Sequence, residues 1–435
     1  MPPLTSAPEG ATSHGSQPAP GSLGAVGRGW LVAIFLACAG YAAAVALLAS
    51  SGVQHSWAVV AAPCYAAAAL AAAWPRRGRD LALLLSLGGG LAAPLGWLVA
   101  QNRSLQEVRV ISHGAWLLIQ HGTPYLSVAA LAGAQNPEAY NPYLPAMTLF
   151  GLGRAAGGSG PLTDPRIWFT VAYVAVFWLA LRAVGAPDSG RWTALVTATP
   201  VIAFPLAVGG DDVPVLGLMC LGLALLSRTA HEPRPVLAGL VLGLAAAMKA
   251  TAWPAVLIAA VLVAGRDGRR ALVRFAAAVL AALVLLIGPV AAVSPGALWD
   301  NTILFPLGLA SVKSAATSPL PGVLLAQTGH AGHLVATGLL ALAGLGIVMS
   351  LVIWPVRDVR SATWRLIISL ALLFALAPST RFGYYLYPVG LWMWLRVSRV
   401  GAGPGPAVPR ADEAAGPPGS RDQAGRGPGR IRLDR

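Results

Sequence analysis

The sequence predicts an all-α protein, a polytopic bundle of transmembrane helices with about twelve crossings and some short re-entrant helices. Of its 435 residues, 56% are hydrophobic and only 11% are charged, whereas soluble proteins have roughly 25% charged residues. Several apolar stretches run for about 18 to 23 residues, the length that a helix needs to cross roughly 30 Å of hydrocarbon. This composition excludes a water-soluble domain, because too little polar surface remains to cover one.

The charge pattern favours a membrane protein over a nucleic-acid-binding protein. The formal net charge is +14, but the arginines form short clusters between apolar runs and in the C-terminal tail, as expected for cytoplasmic loops. The three cysteines, Cys38, Cys64 and Cys220, all lie inside apolar runs, where a thiol behaves as a small hydrophobic group. We therefore expect no metal centre, no disulfide framework and no nucleic-acid partner.

The domain organisation follows from these runs. Residues 1–27 and 400–435 are rich in Gly, Pro and charge and are predicted to be disordered cytoplasmic tails. Residues 28–399 form one transmembrane domain with outer loops near 101–142 and 294–332. We predict its spans near 29–50, 56–74, 80–100, 166–184, 192–208, 213–228, 271–293, 333–354, 362–378 and 383–397.

Three apolar pieces need a separate interpretation. The 235–264 block is interrupted by Lys249 and Pro254 and has arginines at both ends, which favours a hairpin of two short helices. Both termini are predicted to be inside, so the number of crossings must be even. Either 143–155 or 192–208 is therefore expected to dip into the membrane without crossing it, and its prolines make 192–208 a candidate for a broken helix.

The arginine clusters also predict the orientation. If all of them face the cytoplasm, both termini are cytoplasmic and four polar segments face outward. These segments are 101–142, 209–212, 294–332 and 379–385. The residues able to carry chemistry thus gather on the extracytoplasmic face, where we expect the active site.

The first outer loop contains an amphipathic helix that begins near Glu107. Val108, Ile111, Ala115 and Leu118 recur at helical spacing and would lay one apolar face on the membrane surface. The arrangement predicts a carboxylate at the outer interface, beside a groove open to lipid.

Several motifs resemble those of one family. They are Glu107-Val108-Arg109-Val110, Gly122-Thr123-Pro124-Tyr125, Tyr140-Asn141-Pro142-Tyr143-Leu144-Pro145, the Ala238-Gly239 segment that reaches Lys249, and Arg381-Phe382-Gly383-Tyr384-Tyr385. Their order and spacing, over roughly residues 80 to 397, resemble the GT-C superfamily of membrane glycosyltransferases. Within it, they are most similar to the family-87-type mannosyltransferases that depend on polyprenol-phosphate mannose. The chain departs from that pattern at Glu107, where the family usually has aspartate.

The resemblance implies a sugar transfer from a lipid-linked donor, and the residue types suit that chemistry. Glu107 could take the proton of the acceptor hydroxyl, and Lys249 and Arg381 could hold the departing phosphate. His113, Asp211, Asp212, Tyr140 and Tyr384 are candidate substrate-binding residues. The implied partners are a lipid-linked sugar donor, a glycan or glycolipid acceptor and membrane lipids, and no cofactor or metal is expected.

Each of these residues also has an ordinary structural interpretation. Glu107 could pair with Arg103 or Arg109, and the aspartates could cap a helix. Lys249 could extend to the interface, where the tyrosines could form part of an aromatic belt. His113 could be merely interfacial.

The sequence therefore favours a membrane hexosyltransferase that transfers a sugar, mannose by the resemblance, from a polyprenyl-phosphate donor to an extracytoplasmic glycan or lipid. Two alternatives stay open. A transporter or lipid flippase would typically carry internal repeats and mid-membrane ionisable residues, and no clear repeat is found. A non-catalytic GT-C-like protein is compatible with glutamate in place of the family's aspartate.

Overall fold

The computed structural model describes residues 27–398, apart from 50, 51, 76 and 229. The predicted all-α class is confirmed for this part of the chain, whose only β pairing is an isolated bridge between Thr317 and Thr380. The two tails predicted to be disordered lie outside the described residues, except for Gly27. The helices are α1 Arg28–Leu48, α2 Gly52–Ala73, α3 Gly78–Leu87, α4 Ala93–Ala100, α5 Gln106–His121, α6 Val128–Ala132, α7 Leu152–Gly157, α8 Pro165–Ala183, α9 Ser189–Ala198, α10 Pro200–Val208, α11 Asp212–Leu225, α12 Pro235–Met248, α13 Trp253–Val293, α14 Pro295–Trp299, α15 Pro321–Gln327, α16 His330–Ile353, α17 Val359–Leu376 and α18 Leu386–Ser398.

The helices that pass between the two ends of the bundle account for the predicted crossings. Within the described ranges, seven helical segments are long and apolar enough to cross a membrane, and the bent pair α9 and α10 makes up to eight. The shorter helices α11, α12 and α18 add three passes. The break at Gly268, where φ is +82°, divides α13 into two. Counted in this way, twelve helical segments of the described ranges run between the two ends of the bundle, and seven or eight of them have the length and hydropathy of a membrane span.

Two names distinguish the ends of the bundle. The loop end carries the long connections 101–164 and 294–329, and the arginine end carries the connections around Arg77, Arg228 and Arg266. Helices α11 and α12 have only 14 residues each and rise about 21 Å, less than the hydrocarbon thickness.

The question left open by the sequence, which apolar piece fails to cross, is resolved by contacts at both ends. Helix α9 begins at the arginine end, where Arg191 pairs with Asp80 at 3.3 Å. Helix α10 finishes at the loop end, where the Leu105 amide donates to the Val208 carbonyl at 2.8 Å. The 192–208 piece therefore crosses, with a bend of 66° at the junction before Pro200, which has no amide hydrogen to donate.

The 143–155 piece stays at the loop end. The Leu144 amide donates to the Met248 carbonyl at 3.0 Å, and Arg154 donates to the Asn102 side chain at 2.9 Å. Its backbone forms a 3₁₀ helix, Pro145–Gly151, followed by the short α7. This is the re-entrant segment that the even number of crossings required.

The predicted hairpin in the 235–264 block is also confirmed. Helix α12 ends at Met248, Lys249 adopts an extended conformation, and α13 begins at Trp253. Within the hairpin, the Trp253 indole donates to the Ala246 carbonyl at 3.0 Å. Helix α12 also packs against the part of α13 beyond the Gly268 break, where a Cβ on Gly239 would stand only 2.5 Å from the Phe275 carbonyl oxygen. Small residues permit such approach between apolar helices, and the packing fixes Lys249 at the loop end.

Candidate active site

Two of the predicted residues form an ion pair that joins distant parts of the chain. Glu107 lies in the first turn of α5, where a carboxylate is favoured by the helix dipole. It accepts a hydrogen bond at Oε1 from Nη1 of Arg381, which precedes the 3₁₀ turn Phe382–Tyr385. The alternative partners are not used, because Arg109 pairs with Glu138 at 2.5 Å and Arg103 donates to Gln101.

The second oxygen of Glu107 has no hydrogen-bond partner in the described part of the chain, although it is buried. The side chain is only 12% exposed, and that of Arg381 is 30% exposed. A buried carboxylate oxygen without a donor is costly. It is therefore suited to accept a hydrogen bond from a bound hydroxyl group.

A second cluster surrounds Lys249. Its ammonium lies 3.1 Å from Asp211 Oδ2 and 2.6 Å from Asp212 Oδ1. It also lies 5.1 Å from the centre of the Tyr143 ring and 5.4 Å from that of Tyr384, within cation–π distance. The two carboxylates account for two of the three N–H donors of this ammonium, and its charge is already balanced by them, which makes it less suited than Arg381 to bind a phosphate.

The aspartates are held by tertiary contacts rather than by helix capping. Asp211 precedes α11 but makes no side-chain capping bond. Asp212 accepts a hydrogen bond from the Tyr387 hydroxyl at 2.7 Å, and Thr251 donates to that same hydroxyl at 3.0 Å. The network connects the start of α11 with α18 and with the turn after Lys249.

The two clusters together contain one more carboxylate than cation. Burial raises the pKa of Asp211, in the connection between α10 and α11, to about 7, with Lys249 opposing the rise and Asp212 and Glu107 adding to it. For Lys249, burial alone would lower the pKa, but Asp211 and Asp212 together raise it. Near neutral pH the site therefore favours a charged Lys249, and Asp211 exchanges a proton in this pH range.

Two cavities meet at these clusters. The larger, of about 1070 Å³, continues along apolar residues of α1, α10 and α18, including Ile34, Phe204 and Met393. The smaller, of about 490 Å³, extends toward Thr302, Ser379 and other residues of the loop end and reaches Leu340 on α16. Six residues border both cavities: Gln106, Glu107, Tyr143, Lys249, Arg381 and Tyr384.

The remaining predicted residues divide between the cavities and the surface. Tyr140 borders the smaller cavity, stacks on Phe305 at 4.6 Å between ring centres and shares a 3.0 Å hydrogen bond with Ser311. His113 borders neither cavity. It is exposed on α5 and stacks on Trp116 at 5.9 Å, so the structure does not bring it to the other candidates. The position of His113 agrees with the interfacial interpretation.

Two residues at the junction, Gln106 and Tyr143, were not predicted from the sequence as site residues. Tyr143 is part of the Tyr140–Pro145 motif, and Gln106 is adjacent to Glu107, so both lay beside residues already singled out. From the sequence, Tyr387 is interpreted as part of an interfacial aromatic belt or as a stacking residue, and only the fold shows that its hydroxyl donates to Asp212. In the described ranges, no group of three or more His, Cys, Asp or Glu side chains is arranged to hold a metal ion.

Comparison with known proteins identifies one family. The family model described as glycosyltransferase family 87 matches residues 160–379, just over half of the chain. The matched range includes Asp211, Asp212 and Lys249, begins after Glu107 and ends two positions before Arg381. No curated protein and no solved structure matches the chain. The chain, a membrane protein by its helices, belongs to glycosyltransferase family 87.

Proposed function

We propose that this glycosyltransferase transfers a hexose, mannose by its family resemblance, from a polyprenyl phosphate to a glycan or lipid acceptor on the extracytoplasmic face. The observation that carries the proposal is the buried, unpartnered Oε2 of Glu107 at the junction of two cavities. A transfer reaction needs two substrates to meet at one base, and this position lets them do so.

The reaction is a single displacement. The acceptor hydroxyl gives its proton to Glu107 Oε2 while its oxygen attacks the anomeric carbon of the donor sugar. The bond from that carbon to the phosphate oxygen breaks, and the polyprenyl phosphate leaves with the bonding electrons. One displacement inverts the configuration at the anomeric carbon, and the phosphate is a good leaving group that needs no proton.

Arg381 is suited to hold the phosphate. Its guanidinium uses one nitrogen on Glu107 and is 30% exposed, so further N–H groups are accessible from the cavities. A guanidinium binds phosphate oxygens in a fork geometry. Because Arg381 touches Glu107, the departing phosphate and the base would lie within a few ångströms of each other.

The positions of the two cavities favour one assignment of the substrates. The larger cavity runs between α1, α10 and α18 along mainly apolar side chains, as a prenyl chain requires. The smaller cavity extends among the connections of the loop end, around Thr302 and Ser379, where a glycan or lipid acceptor can reach the junction from outside the bundle. We assign the donor to the larger cavity and the acceptor to the smaller.

The orientation is part of the proposal. The loop end holds both charged clusters, and the opposite end carries Arg228, Arg266, Arg269 and Arg270. Arginine-rich connections are typical of the cytoplasmic side. The active site would then face outward, where polyprenyl-phosphate sugars serve as donors without nucleotides.

The test uses purified protein in lipid nanodiscs with polyprenyl-phosphate mannose and an extract of envelope glycolipids as acceptors. We expect sugar transfer by the wild type and a loss of roughly 10²- to 10⁴-fold in the Glu107→Gln variant. The control is Glu232→Gln, the same change at an exposed residue outside both cavities. Transfer by Glu107→Gln at the wild-type rate would overturn the mechanism.

A further inference from the structure

A buried ion pair at the start of α8 lies outside both cavities. The Arg166 side chain is 0% exposed, and its Nε donates to Asp164 Oδ1 at 2.9 Å while Nη2 donates to Oδ2 at 3.0 Å. Asp164 also caps α8 by accepting the Arg166 backbone amide at 3.0 Å. Neither residue borders a cavity, so the pair is not placed to touch a substrate.

The third nitrogen of this guanidinium contacts two other segments. Nη1 donates to the Arg103 carbonyl at 2.9 Å and to the Ala207 carbonyl at 3.0 Å. Arg103 lies four positions before Glu107, and Ala207 lies four positions before Asp211. One side chain therefore ties together the two stretches of backbone that lead into the two charged clusters.

The same two stretches are in direct contact beyond Arg166. The Leu105 amide donates to the Val208 carbonyl at 2.8 Å. Gly209 follows with φ at +128°, and a Cβ there would lie 2.6 Å from Val108 Cγ2. This close packing transmits any movement of residues 207–209 to the first turn of α5, which carries Glu107.

Burying an ion pair inside a membrane protein is expensive, and an apolar pair of similar volume would often be as stable. A guanidinium differs from an apolar side chain in its fixed, planar set of donors. Here these donors reach a carboxylate and two carbonyls on separate elements, which fixes the relative position of those elements rather than only filling space.

We propose that Arg166 is a positioning residue, which holds the Glu107 segment and the Asp211–Asp212 segment at the spacing that catalysis requires. The proposal rests on the function proposed above, in which Glu107 is the base. Misplacement by about 1 Å costs a rate factor on the order of 10². Loss of the two carbonyl contacts should therefore lower turnover while leaving the phosphate-binding Arg381 in place.

The test compares Arg166→Lys with the double variant Asp164→Asn, Arg166→Met. The double variant removes both charges of the pair and keeps an amide oxygen to cap α8. Arg154, which also contacts Asp164 at 3.3 Å, keeps its hydrogen bond to Asn102, so the variant is expected to fold. The control is Arg191→Met, which breaks an exposed ion pair at the arginine end. Kinetics with polyprenyl-phosphate mannose are measured with amide hydrogen exchange of the unliganded protein.

We expect the double variant to lose roughly ten- to hundredfold in kcat with less than a threefold change in the donor KM. Arg166→Lys keeps the charge but loses the planar set of donors, so its kcat should lie between those of the wild type and the double variant. Exchange should rise locally in residues 103–108 and 207–212 and stay unchanged in α12 and α16. Arg191→Met should match the wild type in both measurements.

The outcomes separate this inference from the proposed function. If Glu107→Gln is inactive while the double variant keeps wild-type kcat and exchange, Arg166 does not position the site. An increase of exchange throughout the bundle would show a general structural role and would also overturn the inference. If Glu107→Gln stays active, the proposed function fails, and local exchange in 103–108 and 207–212 still tests whether Arg166 holds these segments.

Discussion

The Glu107 carboxylate accepts a hydrogen bond from the Arg381 guanidinium, and 274 positions of sequence separate the two residues. The contact connects the surface helix α5 with the connection between α17 and α18. It places a carboxylate with one free oxygen beside a cation with free donors, at the junction of two cavities. This arrangement underlies the proposed proton transfer and phosphate binding.

Arg381 is expected to contribute to donor binding and to stabilise the leaving phosphate. Arg381→Gln should lower kcat/KM for the polyprenyl-phosphate donor by roughly 10²- to 10³-fold, since it removes a charged donor from the transition state. Arg381→Lys should lower kcat/KM by a smaller factor, because lysine keeps the positive charge although it lacks the planar pair of donors. Steady-state kinetics at varied donor concentration measure both effects, and an unchanged kcat/KM in Arg381→Gln would refute the assignment.

Lys249 is expected to stabilise the fold because its charge compensates the buried carboxylate groups of Asp211 and Asp212. Lys249→Met leaves Asp211 and Asp212 without a cation, and removing one partner of a buried ion pair costs about 3 to 5 kcal/mol. The unfolding temperature of this variant, measured in detergent, should be clearly lower than that of the wild type. Lys313→Met, the same change at an exposed loop residue, is the matched control. A variant in which both aspartates are also changed to asparagine should recover most of the loss, and no recovery would argue against this explanation.

Replacing a residue of α1 that borders the larger cavity with a bulky side chain is expected to block this cavity. Cys38 borders this cavity, whereas Leu36 on the same helix is 56% exposed on its outer face. Cys38→Trp should raise the KM for the lipid donor at least several-fold, because the indole occupies the volume assigned to the prenyl chain. Leu36→Trp should leave it unchanged. An equal KM for the lipid donor in the two variants would refute the assignment of the donor to this cavity.

The raised pKa of Asp211 predicts that the stability of the protein depends on pH. Burial raises its pKa in the folded protein from 3.8 to about 7, so between these values the folded state binds a proton that the unfolded state has released. The stabilisation is complete below about pH 4 and is lost as the pH rises through about 7. The unfolding temperature should therefore fall from about pH 5 to about pH 8 by more in the wild type than in Asp211→Asn. The same fall in both proteins would contradict the raised pKa.

Much of the architecture was predictable, because it depends on local properties of the chain. The length of an apolar run decides whether a helix can cross the membrane, and the interruption at Lys249 and Pro254 predicted the α12–α13 hairpin that the structure contains. The segregation of polar residues to a few connections predicted that Glu107, Lys249, Arg381 and the two aspartates would share one end of the bundle. They do so, and His113, chosen only because it lies on the same helix as Glu107, faces away from them.

The sequence by itself determined the class of protein, most of the crossings and the end of the bundle where the chemistry gathers, since hydrophobicity and charge act over a few neighbouring residues. Only the tertiary structure decided the partners. In the folded chain, Arg381 pairs with Glu107, and Lys249 pairs with Asp211 and Asp212. The 143–155 segment stays at the loop end, and Arg166 donates to two backbone carbonyls. These contacts join residues far apart in sequence, and the packing of whole helices, which no local pattern encodes, brings them together.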